Sequence, residues 1–263
     1  MPPAIVLDQV SLCYRLARQK TRSIKEYAIH WIKGALEYES FWALDGLSAE
    51  IQRGEVVGIV GRNGAGKSSL LKIVSGVLEP ARGRCEVRGR VSPVLELGTG
   101  FAQELTGKEN IFLNALLLGR TRKEVRGRLD WIVDFAELPG FIDSPLRSYS
   151  TGMVARLGFA IATAWVPDVL ILDEVMAVGD QAFNRKCQTR FEHFRDAGTT
   201  VLLVSHSPEV IKSACSRCLW LNAGKLVADG RPADVMGAYL ESTGAPSTPP
   251  APLATSLAPP SPV

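Results

Sequence analysis

Residues 55–74, EVVGIVGRNGAGKSSLLKIV, constrain the fold more than any other stretch. An apolar run, EVVGIV, leads directly into Gly61, Arg62, Asn63, Gly64, Ala65, Gly66, Lys67, Ser68 and Ser69, and an apolar helical pattern follows. Strand, glycine-rich loop and helix in that order fit G-x-x-x-x-G-K-S/T, in which backbone N–H groups wrap phosphates at the positive end of a helix. In that arrangement Lys67 reaches the β and γ phosphates and the Ser68 hydroxyl binds Mg²⁺. The strand is apolar on both faces, as a central parallel strand covered by helices should be, so the stretch implies an α/β core.

Two further runs, DVLILD (168–173) and TTVLLV (199–204), have the same character. The first delivers Asp173 and Glu174 to its C-terminal tip, where open α/β sheets bind ligands. Asp173 suits Mg²⁺, directly or through water, and Glu174 can polarise an attacking water as general base. The run TVLLVSH sets His206 just past another central strand, close to the expected position of a γ phosphate. AIVLDQVSLCY near the start reads as a shorter strand, and CLWLNAGKLVADG near the end as a hairpin turning at Asn222 to Gly224. Residues 101–165 carry helical periodicity and no convincing strand, which predicts a helical subdomain inserted into the core.

Composition is that of a folded domain, 46% hydrophobic and 22% charged over 263 residues. The longest apolar stretches fall short of the roughly 20 residues a membrane-spanning helix needs, and the start lacks the pattern of a secretory leader. A cytosolic chain without a span of its own is expected. Five scattered cysteines argue for reduced thiols, and Cys215 and Cys218, lacking a second pair, read as packing residues. The net charge of +3 is local: residues 15–36 hold Arg15, Arg18, Lys20, Arg22, Lys25 and Lys33 against Glu26, leaving 24 basic and 26 acidic residues elsewhere. No nucleic-acid partner is expected from such a balance. Within an insertion at about 15–42, Ile24, Tyr27, Ala28, Trp31, Ile32 and Ala35 recur at helical spacing, predicting a basic amphipathic helix that packs on its own domain or meets a membrane subunit or anionic lipid. Residues 242–263 form a tail, uncharged and proline-rich from Ala245 on, which predicts disorder.

One stretch offers no acid, base or metal ligand. SYSTGMVARLGFAI (148–161) opens with small and hydroxyl residues onto an amphipathic helix whose face is Val154, Leu157, Gly158, Ile161, Ala162 and Trp165. Together with the motifs above it resembles the nucleotide-binding subunit of ATP-binding cassette (ABC) proteins, over about residues 4–241. Tyr149, Ser150, Thr151, Gly152 and Met153 take the place of that family's LSGGQ signature. The resemblance implies a P-loop NTPase cassette over 1–241: a RecA-like core, an N-terminal antiparallel β part and the helical subdomain. It also implies that two copies pack head to tail, the signature helix of one presenting its N-terminus to the γ phosphate held by the other. Free N–H groups and the helix dipole bind an anion without a charged side chain.

LELGTGFAQELTGKENI, YSTGM and LDEVMAVGD narrow the resemblance to ATPase subunits of bacterial polysaccharide exporters, those for O-antigen and teichoic acid. Asp180 then matches the aspartate of the D-loop, and Tyr14 the aromatic that stacks on adenine, with Phe41 and Trp42 as alternatives. The glutamine that usually senses Mg²⁺ before the helical subdomain is replaced by Glu96 or Gln103; Glu96, directly after VSPVL, is favoured. The implied cofactors are ATP and Mg²⁺, the latter held by Ser68, Asp173 and Glu96. The implied partners are a second copy and an integral membrane permease, expected in two copies, carrying a lipid-linked polysaccharide. The chain would sit peripherally on the cytoplasmic face of the inner membrane. No carbohydrate-binding domain is expected after the cassette. The alternatives are a teichoic acid or capsule exporter, or a soluble ABC ATPase acting on ribosomes or DNA.

Overall fold

The computed structural model describes residues 2–17, 38–94, 98, 100–173, 180–205 and 207–244. Two sheets organise them. A long antiparallel hairpin, β1 (Ile5–Ala17) with β2 (Tyr38–Ile51), is joined by β4 (Arg82–Val87) in the order β2-β1-β4. The larger sheet runs β5-β6-β7-β3-β8-β9, formed by β3 (Val56–Val60), β5 (Val91–Val94), β6 (Val169–Asp173), β7 (Thr200–Val204), β8 (Arg217–Asn222) and β9 (Lys225–Gly230). Its pairs are parallel except β8 with β9, the hairpin legible in the sequence.

Alternation along the central strands explains their continuous apolarity. Ile59, Ile171 and Leu202 point into a core shared with Leu44, Leu47 and Ile51 of β2 and with Leu70 and Leu71 of helix α1 (Lys67–Val74), which lies between the sheets. Their neighbours Val60, Leu172 and Leu203 point into a second core on the opposite face. That core is closed by Phe183 and Phe194 of a long helix (Gln181–Asp196) and by Ile211 and Val235. Each central strand therefore loses apolar surface from both faces, at roughly 25 cal/mol per Å² buried.

The third core is helical. It is formed by α2 (Gly107–Leu117), α3 (Arg122–Arg126), α4 (Leu129–Ala136) and α5 (Thr151–Thr163), with Ile111, Val125, Ile132, Leu157 and Ile161 packed together. Thr106 with Glu109, and Thr121 with Glu124, form reciprocal capping boxes at the starts of α2 and α3. The long helix is α6, followed by α7 (Pro208–Ala214) and α8 (Pro232–Thr243). Cys215 and Cys218 are buried, their thiols pushed up to about 12 by desolvation, and Cys215 packs where a side chain on Gly58 of β3 would fall. Among the described residues no group of three or more His, Cys, Asp or Glu side chains could hold a metal by itself, and no helix is long and apolar enough to cross a membrane.

Two boundaries differ from the sequence reading. β1 continues to Ala17 and β2 begins at Tyr38, so the flanks of the 15–42 insertion are strand; Ile24 to Ala35, where the amphipathic helix is predicted, lie outside the described residues. Helix α8 runs past residue 241 to Thr243 and stops at Gly244 in the left-handed conformation. Residues 245–263 also lie outside the described set.

Candidate functional site

A cavity of about 520 Å³ opens where β3, β6 and β7 end, of a size that takes a nucleotide-sized ligand. The loop between β3 and α1 forms its floor. Gly66 has φ 104°, and a Cβ there would come within 2.5 Å of the Ala43 carbonyl oxygen; at Gly61, also at positive φ, a Cβ would collide with the Leu221 carbonyl. Only glycine lets the loop lie this close to β2 and β8. Helix α1 has no side-chain cap and no acid in its first turn, and its opening residues Lys67, Ser68 and Ser69 line the cavity, which suits this helix end to an anion.

Lys67 is buried, and its ammonium donates to the carbonyls of Gly61 at 2.7 Å and Arg62 at 3.2 Å. The Ser68 hydroxyl donates to an Asp173 carboxylate oxygen at 3.4 Å, bringing together two motifs 105 residues apart. Parallel pairing sets Asp173, at the tip of β6, beside Val204 of β7, and both line the cavity. Hydroxyl and carboxylate oxygens at one rim are the donors a hard divalent cation prefers, so Ser68 and Asp173 fit Mg²⁺.

The remaining wall is aromatic. Tyr14 and Phe41 are cross-strand partners in the β1–β2 ladder, so they share a face, and both line the cavity while 37% and 50% exposed. The Tyr14 hydroxyl shares a 3.4 Å hydrogen bond with that of Ser69. Trp42, next along the strand, turns the other way and lies under the Arg82 guanidinium at 4.7 Å. Replacing Tyr14 and Phe41 together by Ala should therefore weaken nucleotide binding about tenfold, whereas Trp42→Ala should change it less than about twofold, read by titration with a fluorescent ATP analogue.

The signature residues stand elsewhere. None of Tyr149 to Met153 lines the cavity. Ser150 caps α5 by accepting from the Met153 amide at 3.2 Å, with no acid in the first turn. Tyr149 is buried, and its hydroxyl donates to the Phe141 carbonyl at 2.6 Å. Asp180 caps α6, accepting from Phe183 at 2.9 Å, and that bond, aided by Arg156, holds its carboxyl below the ordinary range. Gln103 accepts from the Arg147 amide through its backbone carbonyl and does not line the cavity. Glu96, Glu174 and His206 lie outside the described residues. Sequence reasoning missed one supporting element. Gly224 donates to the Ala65 carbonyl and accepts from Asp45, which braces the loop from below with the very turn that the hairpin signal marked.

A family model described as ABC transporter matches residues 44–177. An O-antigen export system ATP-binding protein of Klebsiella pneumoniae is 41% identical over 92% of this chain and 99% of its own. A protein of the same description from Myxococcus xanthus is 40% identical over 91% of this chain, which spans 56% of that relative. A teichoic acids export ATP-binding protein of Lactococcus lactis is 47% identical over 76% of this chain and 43% of its own length. In fold, the ATP-binding subunit of an ABC transporter superposes with TM-score 0.69 at 21% identity, covering 93% of this chain and 95% of that one. A dimeric ATP-binding cassette with ADP and Pi gives 0.68 at 21%, covering 87% and 98%.

Proposed function

This chain belongs to the ABC transporter family, and from that premise we propose that it is the ATP-hydrolysing subunit of an exporter that drives a membrane permease to move a lipid-linked polysaccharide such as O-antigen across the cytoplasmic membrane. The observation that carries the reading is the phosphate cradle of Lys67, Ser68 and Asp173 beneath an aromatic wall, on a chain that matches nearly the whole length of the Klebsiella relative. In this reading Tyr14 and Phe41 hold the base, the amides opening α1 and the Lys67 ammonium hold the phosphates, Glu174 takes the proton of the attacking water, and His206 is assigned to the γ phosphate. A bound Mg²⁺, held by Ser68 and Asp173 with Glu96, supplies charge neutralisation at the phosphates.

Among the described residues the cradle is built from the β1–β2 hairpin, the β3–α1 loop and the tips of β6 and β7. The signature residues lie outside its lining, and the Ser150 end of α5 has an uncharged first turn suited to an anion from another molecule. Two copies packed head to tail would bring the two halves together, so that ATP binding closes the pair and hydrolysis reopens it. The Lactococcus relative supports a second reading of the same motor, in which the cargo is teichoic acid. Purification of the tagged chain from native membranes tests the reading: an integral membrane permease should accompany it in detergent. A chain recovered entirely from the soluble fraction, without a membrane partner, contradicts it.

A further inference from the structure

Arg156 stands in the second turn of α5, where a cation opposes the helix dipole and needs a compensating reason. Its two guanidinium nitrogens reach two different carboxylates: Nη1 donates to Glu137 at 2.8 Å and Nη2 to Asp180 at 2.7 Å. The guanidinium also lies over the Phe183 ring at 5.2 Å. Asp180 spends its second oxygen on the Phe183 amide, and Glu137 spends its own on Lys186 of α6. Three separate pieces of chain, the ends of α4, α5 and α6, therefore meet at one side chain that is only 21% exposed.

Glu137 supplies an independent sign that the junction has a purpose. It closes α4 with φ 61°, the left-handed conformation for which glycine is the favoured residue. A glutamate held there carries backbone strain, and its carboxylate is where Arg156 and Lys186 converge. Strain held at the meeting of three helix ends points to a mechanical role.

We propose that Arg156 is a positioning residue that locks the N-terminus of the signature helix to the N-terminus of α6, so that Ser150 and Asp180 move as one unit. The functional consequence rests on the reading of Ser150 as the start of a phosphate-facing helix. Residues 174–179, which follow Asp173, end at Asp180. The lock would therefore tie whatever happens at the tip of β6 to the surface that the same copy offers its partner.

Hydrogen exchange, followed amide by amide on Arg156→Gln, tests the lock without reference to activity. Exchange should speed up together at Met153 and Phe183, the two capped amides that the lock holds in step; a response at one helix alone overturns the proposal. Glu137→Gly relieves the strain while removing the carboxylate. It should leave the thermal midpoint within about 2 °C of the parent or higher, yet lower kcat for ATP about tenfold with KM within about twofold. Unchanged kcat, or a fall in kcat that merely follows a fall in the midpoint, contradicts it. If the parent protein hydrolyses no ATP, the proposed function fails, while the exchange result still decides the coupling.

Discussion

Lys67→Ala should weaken ATP binding by about a hundredfold or more and remove turnover with it, because one buried ammonium both braces the loop and supplies its charge. Its bonds to the Gly61 and Arg62 carbonyls hold the loop's curve, and a charge-assisted hydrogen bond contributes about 1.5–3 kcal/mol, so loss of one or two such bonds amounts to that factor. Glu174→Gln should behave oppositely. A glutamine keeps the size of the side chain but cannot take a proton, so ATP should bind as before while hydrolysis falls by about 10²–10⁴. Calorimetric titration of ATP beside a phosphate-release assay separates the two. Undiminished affinity in the Ala variant would remove Lys67 from the phosphates, and normal turnover in the Gln variant would remove Glu174 from its role as base.

Much of this was legible because short-range patterns encode it. EVVGIV, DVLILD and TTVLLV read as strands covered on both faces, and each does feed two cores, Ile59 into one and Val60 into the other. The glycines of the loop announce close backbone approach, and Gly66 against the Ala43 carbonyl is the contact that demands it. The α/β cassette and the ABC family follow from those motifs, and both hold. What stayed hidden depends on registers and distant pairs. The resemblance pointed to Tyr14, with Phe41 and Trp42 as weaker alternatives; strand pairing puts Tyr14 and Phe41 together at the cavity and turns Trp42 away. The extent of β1 and β2 was missed because the basic, helix-patterned residues between them mask where the ladder ends. The meeting of Glu137, Arg156 and Asp180 has no period and no spacing to betray it, since surface charges of these types are common and only the packing of α4, α5 and α6 selects the three.

A catalytic site built from two copies, as proposed, is tested most directly by mixing complementary variants. Lys67→Ala spoils the cradle but spares the signature. Gly152→Asp does the reverse: the position tolerates a side chain, its nearest neighbour being Ser150 Oγ at 3.8 Å from a Cβ, but a carboxylate there repels the phosphate that the helix N-terminus should attract. Either variant alone forms dimers with no intact site. In an equal mixture about half of the dimers carry both chains, and each of these has one cradle facing one signature, so ATPase activity should return to about a quarter of the parent level. Recovery near that level is the result predicted, whereas a mixture as inactive as its two components would contradict a site shared between copies.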